Sequence, residues 1–270
     1  MMARFQGQVV LITGASSGIG AALAREFAAE GAGVVLTARR RDRLEALASE
    51  LEGRGSRALA LTCDVTAEED LAEVVKKIEE EFGRLDVVVA NAGFGVIGRF
   101  EKLSLPDYRR QFDTNVFGVL RTAKEAFPAL KKSRGRFVII GSVSGHISAP
   151  EASAYSMSKY AVRALAEALY AEWAPSGVSV TLISPGFVAT EIQNVDNQGH
   201  YREHGKARVP AWIKMSAQKA AKQIVRAVAG RKREKVITLH GKLFVVLDQF
   251  FPGLMPRFFR RLGKRVRRGS

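Results

Sequence analysis

Short runs rich in Val, Ile and Leu alternate along the chain with longer stretches of helical period. Val9–Thr13, Val34–Thr37, Ala58–Thr62, Leu85–Ala90, Arg136–Ser142 and Val178–Ser184 are almost continuously apolar rather than alternating. A strand reads that way when both of its faces are buried, which is the condition inside a parallel sheet covered by helices. Between these runs the spacing predicts helices over Ile19–Glu30, Arg41–Leu51, Ala67–Phe82, Pro106–Leu130 and Ala152–Trp173. Ser216 has the chemistry of a helix cap for a segment ending near Ala229, and Lys235–Leu239 reads as a final strand. The succession predicts a single doubly wound α/β domain over residues 1–240, with a parallel sheet of seven strands and helices on both faces.

After Pro185-Gly186 the pattern is lost. Residues 190–215 are polar and aperiodic, broken by Asn194, Asn197, Gly199 and Gly205. A segment of that length is expected to be a substrate lid. Residues 241–270 form a second exception, a basic amphipathic tail in which Leu243 to Leu247 and Phe250-Phe251 lead into an arginine-rich end. The formal charge is +15, and residues 231–270 alone hold twelve Lys or Arg against Glu234 and Asp248. The basicity therefore belongs to the tail, and with no nucleic-acid-binding module beside it, nucleic acid is not expected as a partner. Two readings stand for the tail: an interfacial segment on an anionic membrane, or an arm packed on a neighbouring subunit. Pro252, Gly253 and Pro256 interrupt it, and no apolar run is long enough to span a bilayer. Cys63 is the only cysteine and residues 1–8 lack an apolar leader, so a reducing, cytoplasmic setting is expected, with possible membrane association.

The first strand runs directly into Gly14-Ala15-Ser16-Ser17-Gly18-Ile19-Gly20 and then a helix. Glycines there let the backbone approach a pyrophosphate, while the helix start offers unpaired N–H groups and a positive dipole end. At the end of the second strand an acid would hold the adenosine ribose hydroxyls, but this chain has Arg39 and Arg40. Guanidinium groups suit a 2′-phosphate, so NADP(H) is the expected cofactor, with Arg39 as its main contact. Tyr155 and Lys159 are one helical turn apart, roughly 5–6 Å at their Cβ atoms. A phenol ordinarily ionises near pH 10, and a fixed cation beside it is expected to lower that value toward the working range. Ser142, expected at the end of a strand, can hold a substrate oxygen against the same phenol. No His, Cys or Asp cluster has metal-ligand spacing, and hydride transfer requires no metal.

Taken together, Gly14 to Gly20, Asn91-Ala92-Gly93, Asn115, Ser142, Tyr155 with Lys159, and Pro185-Gly186 resemble the short-chain dehydrogenase/reductase family, in the family's order. The resemblance spans residues 7–240. It implies the strand order 3-2-1-4-5-6-7, with the nicotinamide cofactor at the C-terminal edge of the sheet. It also implies that Asp64 and Val65 border the adenine and that Asn91, Ala92 and Gly93 support the ribose side. Pro185, Gly186, Val188 and Thr190 would lie along the nicotinamide, and Asn115 would hold a water relaying protons to Lys159. Family members are often dimers or tetramers through their two long central helices.

The function expected on these grounds is reduction of a ketone or aldehyde by NADPH, with Tyr155 as proton donor. Oxidation of an alcohol by the same groups is the nearest alternative, and a non-catalytic nucleotide-binding protein docking through its tail is a more distant one. Phe94, Val96, Ile97, Ile147, Phe187, Val195 and Trp212 would make an apolar pocket if they face it, which favours a lipid- or steroid-like substrate. His146 is expected in the pocket wall.

Overall fold

The computed structural model describes residues 3–201 and 210–266. The part of the expected lid at 202–209 and the last four residues of the tail lie outside the described residues.

Strands β1 (Val9–Thr13), β2 (Gly33–Ala38), β3 (Ala58–Thr62), β4 (Val87–Ala90), β5 (Arg136–Ile140), β6 (Ser179–Ser184) and β9 (Glu234–Val236) form one sheet in the order β3-β2-β1-β4-β5-β6-β9. Every pairing is parallel, from Val34 beside Ala58 at one edge to Ser184 beside Val236 at the other. The expected order of seven strands is therefore present. It carries the label β9 at its far edge because two two-residue strands, β7 (Val188–Ala189) and β8 (Met215–Ser216), pair with each other in between.

The apolar runs are continuous because the central strands are covered on both sides. Alternate residues of β1 enter different cores: Val10 and Ile12 face α1 (Gly18–Ala29), α2 (Arg41–Glu52) and α7 (Ala217–Ala229). Val9 and Leu11 face α3 (Asp70–Phe82), α5 (Gly118–Ser133) and α6 (Ser153–Glu172). Each fully buried Leu, Ile or Val contributes about 1.5–3 kcal/mol relative to exposure, so a polar residue in these runs would be costly on either face. Ser216 caps α7 as expected, its hydroxyl accepting from the amide of Lys219.

Two expectations need correction. The long helix expected over Pro106–Leu130 is α4 (Leu105–Phe112), a π-helical turn at Asp113–Phe117, and then α5. One extra residue in the turn re-aims the side chains there, which period counting over a window averages away. The expected final strand is shortened to Glu234–Val236, because the Thr238 hydroxyl accepts from the Gly241 amide and starts α8 (Leu239–Phe250). The tail then folds as α8 and a second helix, α9 (Leu254–Val266), broken at Pro252 and Gly253.

Candidate active site

The C-terminal ends of the central strands form the edge on which the expected residues gather. β1 ends at Thr13, and Gly14 and Gly18 both adopt positive φ, +66° and +56°. A side chain at Gly14 would lie 2.8 Å from Ala92 Cα, and one at Gly20 would collide with the Gly14 carbonyl. The turn therefore needs glycine for its own packing as well as for any ligand. No side chain caps the first-turn amides of α1, and that turn holds no acid. An uncapped helix start beneath a bare glycine turn fits a pyrophosphate.

Asn91, Ala92 and Gly93 buttress this turn from β4. The Asn91 Nδ2 donates to Thr13 O at 2.8 Å and Gly14 O at 3.1 Å, and the Thr13 hydroxyl accepts from the amides of Asn91 and Ala92. A Cβ on Gly93 would approach the Asn115 Oδ1 to 3.0 Å. Asp64 follows β3 and folds into a local turn, accepting from the Thr66 amide and hydroxyl. It does not cap α3, which starts at Asp70 rather than at the expected Ala67. Val65 is buried against Gly118 at the start of α5.

Arg39 and Arg40 leave β2 in different directions. Arg40 is the one that reaches the glycine turn, donating to the Ser16 hydroxyl at 2.9 Å and the Ser17 hydroxyl at 2.8 Å. Its Nη1 also meets Glu191 at 3.3 Å. Arg39 is more open, with one bond from Nη2 to the Gly199 carbonyl at 3.3 Å. Two guanidinium groups thus stand beyond the end of β2, Arg40 held between the glycine turn and Glu191, and Arg39 on the Gly199 carbonyl. The residues present fit a nicotinamide dinucleotide.

Tyr155 lies in the first turn of α6 and Lys159 one turn later. Ser142 follows β5, two residues beyond its end, and its hydroxyl accepts from the Ser144 amide at 3.1 Å. The three are together: a Tyr155–Ser142 hydrogen bond pulls the phenol pKa down, but burial is the larger effect and leaves it above the ordinary value. The lowering expected from Lys159 is not seen. The buried ammonium donates to the Ile140 carbonyl at 2.8 Å and lies 5.7 Å from the Tyr155 ring centroid. Its own pKa is pushed down to about 8 by burial, so it stays mostly charged at neutral pH.

Asn115 sits in the π-helical turn and is buried. Its Nδ2 donates to Phe94 O at 3.0 Å and the Ser158 hydroxyl at 3.2 Å, and its Oδ1 accepts from the Phe94 amide at 3.1 Å. These contacts make the side chain a strut for the 93–97 loop. Ser158 completes the strut by donating to the Tyr155 carbonyl.

Pro185, Gly186, Val188 and Thr190 run past the same edge. The Pro185 carbonyl accepts from the Val143 amide at 2.9 Å, tying this segment to the Ser142 loop. Val188 is buried in the β7–β8 pair, and the Thr190 Cβ lies 3.1 Å from where Gly18 would carry a Cβ. His146 is buried with Nε2 2.9 Å from Glu234 and 3.1 Å from the Ser184 hydroxyl. Among the expected pocket residues Val96 and Ile147 are buried, Phe187 is half-exposed and Trp212 is largely exposed. Cys63 is buried, with its thiol pushed up to about 12, and takes no part in the site.

Several contributors were missed from the sequence. Gln111 clamps the loop at Phe94 and Val96, and Asn197 pairs with both the amide and the carbonyl of Ile97 at 3.0 and 3.1 Å. Glu191 draws Arg40 and Arg43 together. His240 accepts from the Phe187 amide at 3.1 Å and stacks on the Phe187 ring. Burial keeps His240 below its usual pKa, consistent with a neutral ring whose Nε2 accepts. None of these carries a motif; their partners lie 15 to 151 residues away in the chain.

Comparison with known proteins agrees with this geometry. The family model described as short chain dehydrogenase matches residues 8–200. A farnesol dehydrogenase of Aedes aegypti is 40% identical over 211 residues, covering 74% of this chain and 85% of that protein. An 11-beta-hydroxysteroid dehydrogenase A of Sesamum indicum is 35% identical over 238 residues, covering 84% and 67%. Among solved structures, an alcohol dehydrogenase from Thermococcus sibiricus complexed with 5-hydroxy-NADP is 33% identical, with TM-score 0.74 over 85% of this chain and 95% of that one. A short-chain dehydrogenase/reductase from Burkholderia phymatum in complex with NAD superposes with TM-score 0.83 at 26% identity, covering 91% and 94%. With the seven-strand parallel sheet, the glycine turn and the gathered Ser142, Tyr155 and Lys159 in place, the chain belongs to the short-chain dehydrogenase/reductase family of oxidoreductases acting on CH–OH groups.

Proposed function

We propose that this protein reduces an apolar ketone or aldehyde at the expense of NADPH. The observation that carries the reading is the convergence of Ser142, Tyr155 and Lys159 beside a cofactor edge flanked by Arg39 and Arg40. Ser142 holds the substrate carbonyl oxygen against the phenol. The bound nicotinamide supplies hydride to the carbonyl carbon. Tyr155 gives its proton to the oxygen as charge develops there, and the oxygen becomes the alcohol. Lys159 places positive charge beside the phenolate that results, the form otherwise disfavoured by burial. A phenol held above its ordinary pKa is protonated at neutral pH, the state that reduction requires.

Arg39, Arg40 and Ser16 support NADPH over NADH, since each donor to a charged phosphate contributes about 1.5–3 kcal/mol. Asp64, Val65, Asn91 to Gly93, Pro185, Gly186, Val188 and Thr190 line the remaining cofactor edge. The names of the Aedes and Sesamum relatives, a farnesol and a hydroxysteroid dehydrogenase, support an apolar substrate, as do the exposed rings of Phe187 and Trp212. Residues 190–215 serve as the lid in this reading. Phe117, Met157 and Tyr160 expose apolar surface on the central helices and give a homodimer or homotetramer a face to bury.

Oxidation of an alcohol is the second reading, favoured by the dehydrogenase names of both relatives. It needs the phenolate, so its rate should climb with pH while the reductive rate falls. The test is a screen of steroids, isoprenoid and acyl-lipid aldehydes, quinones and small aldehydes with both cofactors. NADPH-driven reduction of apolar carbonyls, at least about tenfold more efficient than with NADH, is the expected result. Comparable efficiency with the two cofactors would remove the NADPH assignment.

A further inference from the structure

Helix α8 has two different faces. Gly241 is buried against the catalytic loops: a Cβ there would lie 2.7 Å from Val143 Cγ2 and close to the Thr238 hydroxyl. His240 grips Phe187 on the same side. On the other side Leu239, Leu243, Val246 and Phe250 are 82%, 56%, 49% and 68% exposed. Their spacing of four, three and four residues confines them to an arc of about 60° at 100° per residue. The row continues through exposed Phe251 and Leu254 to Phe258 on α9, while Met255 is buried and anchors that helix. Exposed Arg257 and Arg260 stand beside it, and the sequence of α9 holds Arg261, Lys264 and Arg265 with no acid.

We infer that α8 and α9 lie in the surface of an anionic lipid bilayer. An apolar row of two helices rimmed by cations needs a partner with both an apolar interior and negative charge at its boundary, and an anionic leaflet has both. A nucleic acid would satisfy the arginines and leave seven large apolar side chains in water. A second copy of this chain would bury the row but set the arginines of one α9 against those of the other. Spanning is excluded by length, since helices of this size reach about 18–20 Å against a hydrocarbon core of about 30 Å, and among the described residues no helix is long and apolar enough to cross. The helices therefore lie in the plane. Because α8 starts at the loops holding Ser142 and Phe187, such docking holds the opening close to the surface from which an apolar substrate would come. That last consequence rests on the proposed carbonyl chemistry; the docking does not.

The test is flotation of the full chain with vesicles of phosphatidylcholine alone and with phosphatidylglycerol added. Wild type is expected to float with the anionic vesicles and about fivefold less with the neutral ones. The double variant Val246→Glu/Phe250→Glu should lose anionic flotation while keeping its melting temperature and its turnover of a water-soluble aldehyde. Arg257→Glu/Arg260→Glu should lose binding to anionic vesicles in the same way. Wild type left unbound at low salt, or flotation unchanged in the apolar double variant, overturns the inference. If wild type stays unbound and the apolar double variant instead splits a dimer in sedimentation, the surface is an interface between copies. A protein that floats but turns over no carbonyl would leave the docking standing and sink the proposed chemistry.

Discussion

The cofactor side and the substrate side of this molecule are built by different means. The cofactor side is backbone: Gly14 and Gly18 at positive φ, Gly20 pressed on the Gly14 carbonyl, and Asn91 locking the ends of β1 and β4. Almost every group there is fixed by the parallel sheet beneath it. On the substrate side, the stretch from Ala189 to Tyr201 leans on the body through single side chains, Asn197 on Ile97, Glu191 on Arg40 and Arg43, and Arg39 on Gly199, while His240 holds Phe187 just before it. A site for an invariant ligand gains from rigidity, whereas a few replaceable clamps allow the other half to change its substrate without disturbing the core.

Perturbations of the two sides should therefore separate cleanly. The largest effect belongs to Tyr155→Phe, which should lower kcat by about 10³-fold with NADPH affinity nearly unchanged by fluorescence titration; wild-type turnover would end the mechanism. Next comes Arg39→Ala/Arg40→Ala, for which the NADPH KM should rise about 10- to 100-fold while NADH kinetics stay as they were. Equal losses with both cofactors would mean that the pair merely supports the fold.

Lys159→Met should abolish activity and yet stabilise the protein. Burial lowers the folded pKa of Lys159 from 10.5 to about 8. Between those values the unfolded chain binds the proton that the folded chain lacks, so stability rises with pH across that window. Below it the buried charge costs up to about 3 kcal/mol. After loss of the Ile140 hydrogen bond, the variant should gain about 2 kcal/mol at pH 7, or about 4–8 °C in Tm. The gain should fade as the pH approaches 10, and a pH-independent difference would assign it to packing.

On the substrate side, His240→Ala should raise the substrate KM about fivefold through loss of one hydrogen bond, leave the NADPH KM alone, and be partly rescued by Gln, whose oxygen can accept from the Phe187 amide. Smallest is Val246→Glu, which should move stability by less than about 0.5 kcal/mol. A large fall in Tm would show that the outer face of α8 is packed after all.

The same division governed what could be read in advance. The strand Val9–Thr13 was legible to the residue because burial on both faces writes itself as an unbroken apolar run, whereas Ala58–Thr62, half-buried at the sheet edge, was legible from its apolar composition alone. The π-helical turn at Asp113–Phe117 was not, because one inserted residue inside a long helical pattern leaves the period almost intact. The apolar side chain of Leu239 extends the strand pattern in the sequence, but the Thr238 cap and Gly241 decide the local structure there.

By itself, then, the chain determined the parallel sheet, the glycine turn and the candidate proton-transfer residues, since these depend on local period, backbone freedom and spacing within one helix. Tertiary structure alone decided that Arg40 rather than Arg39 meets the glycine turn, that Asn115 braces Phe94, and that burial outweighs the Ser142 hydrogen bond on the Tyr155 phenol. It also decided that His240 holds Phe187. Each of these is set by which distant groups share a small volume and how much water they lose there, and neither quantity is written in the order of residues along one segment.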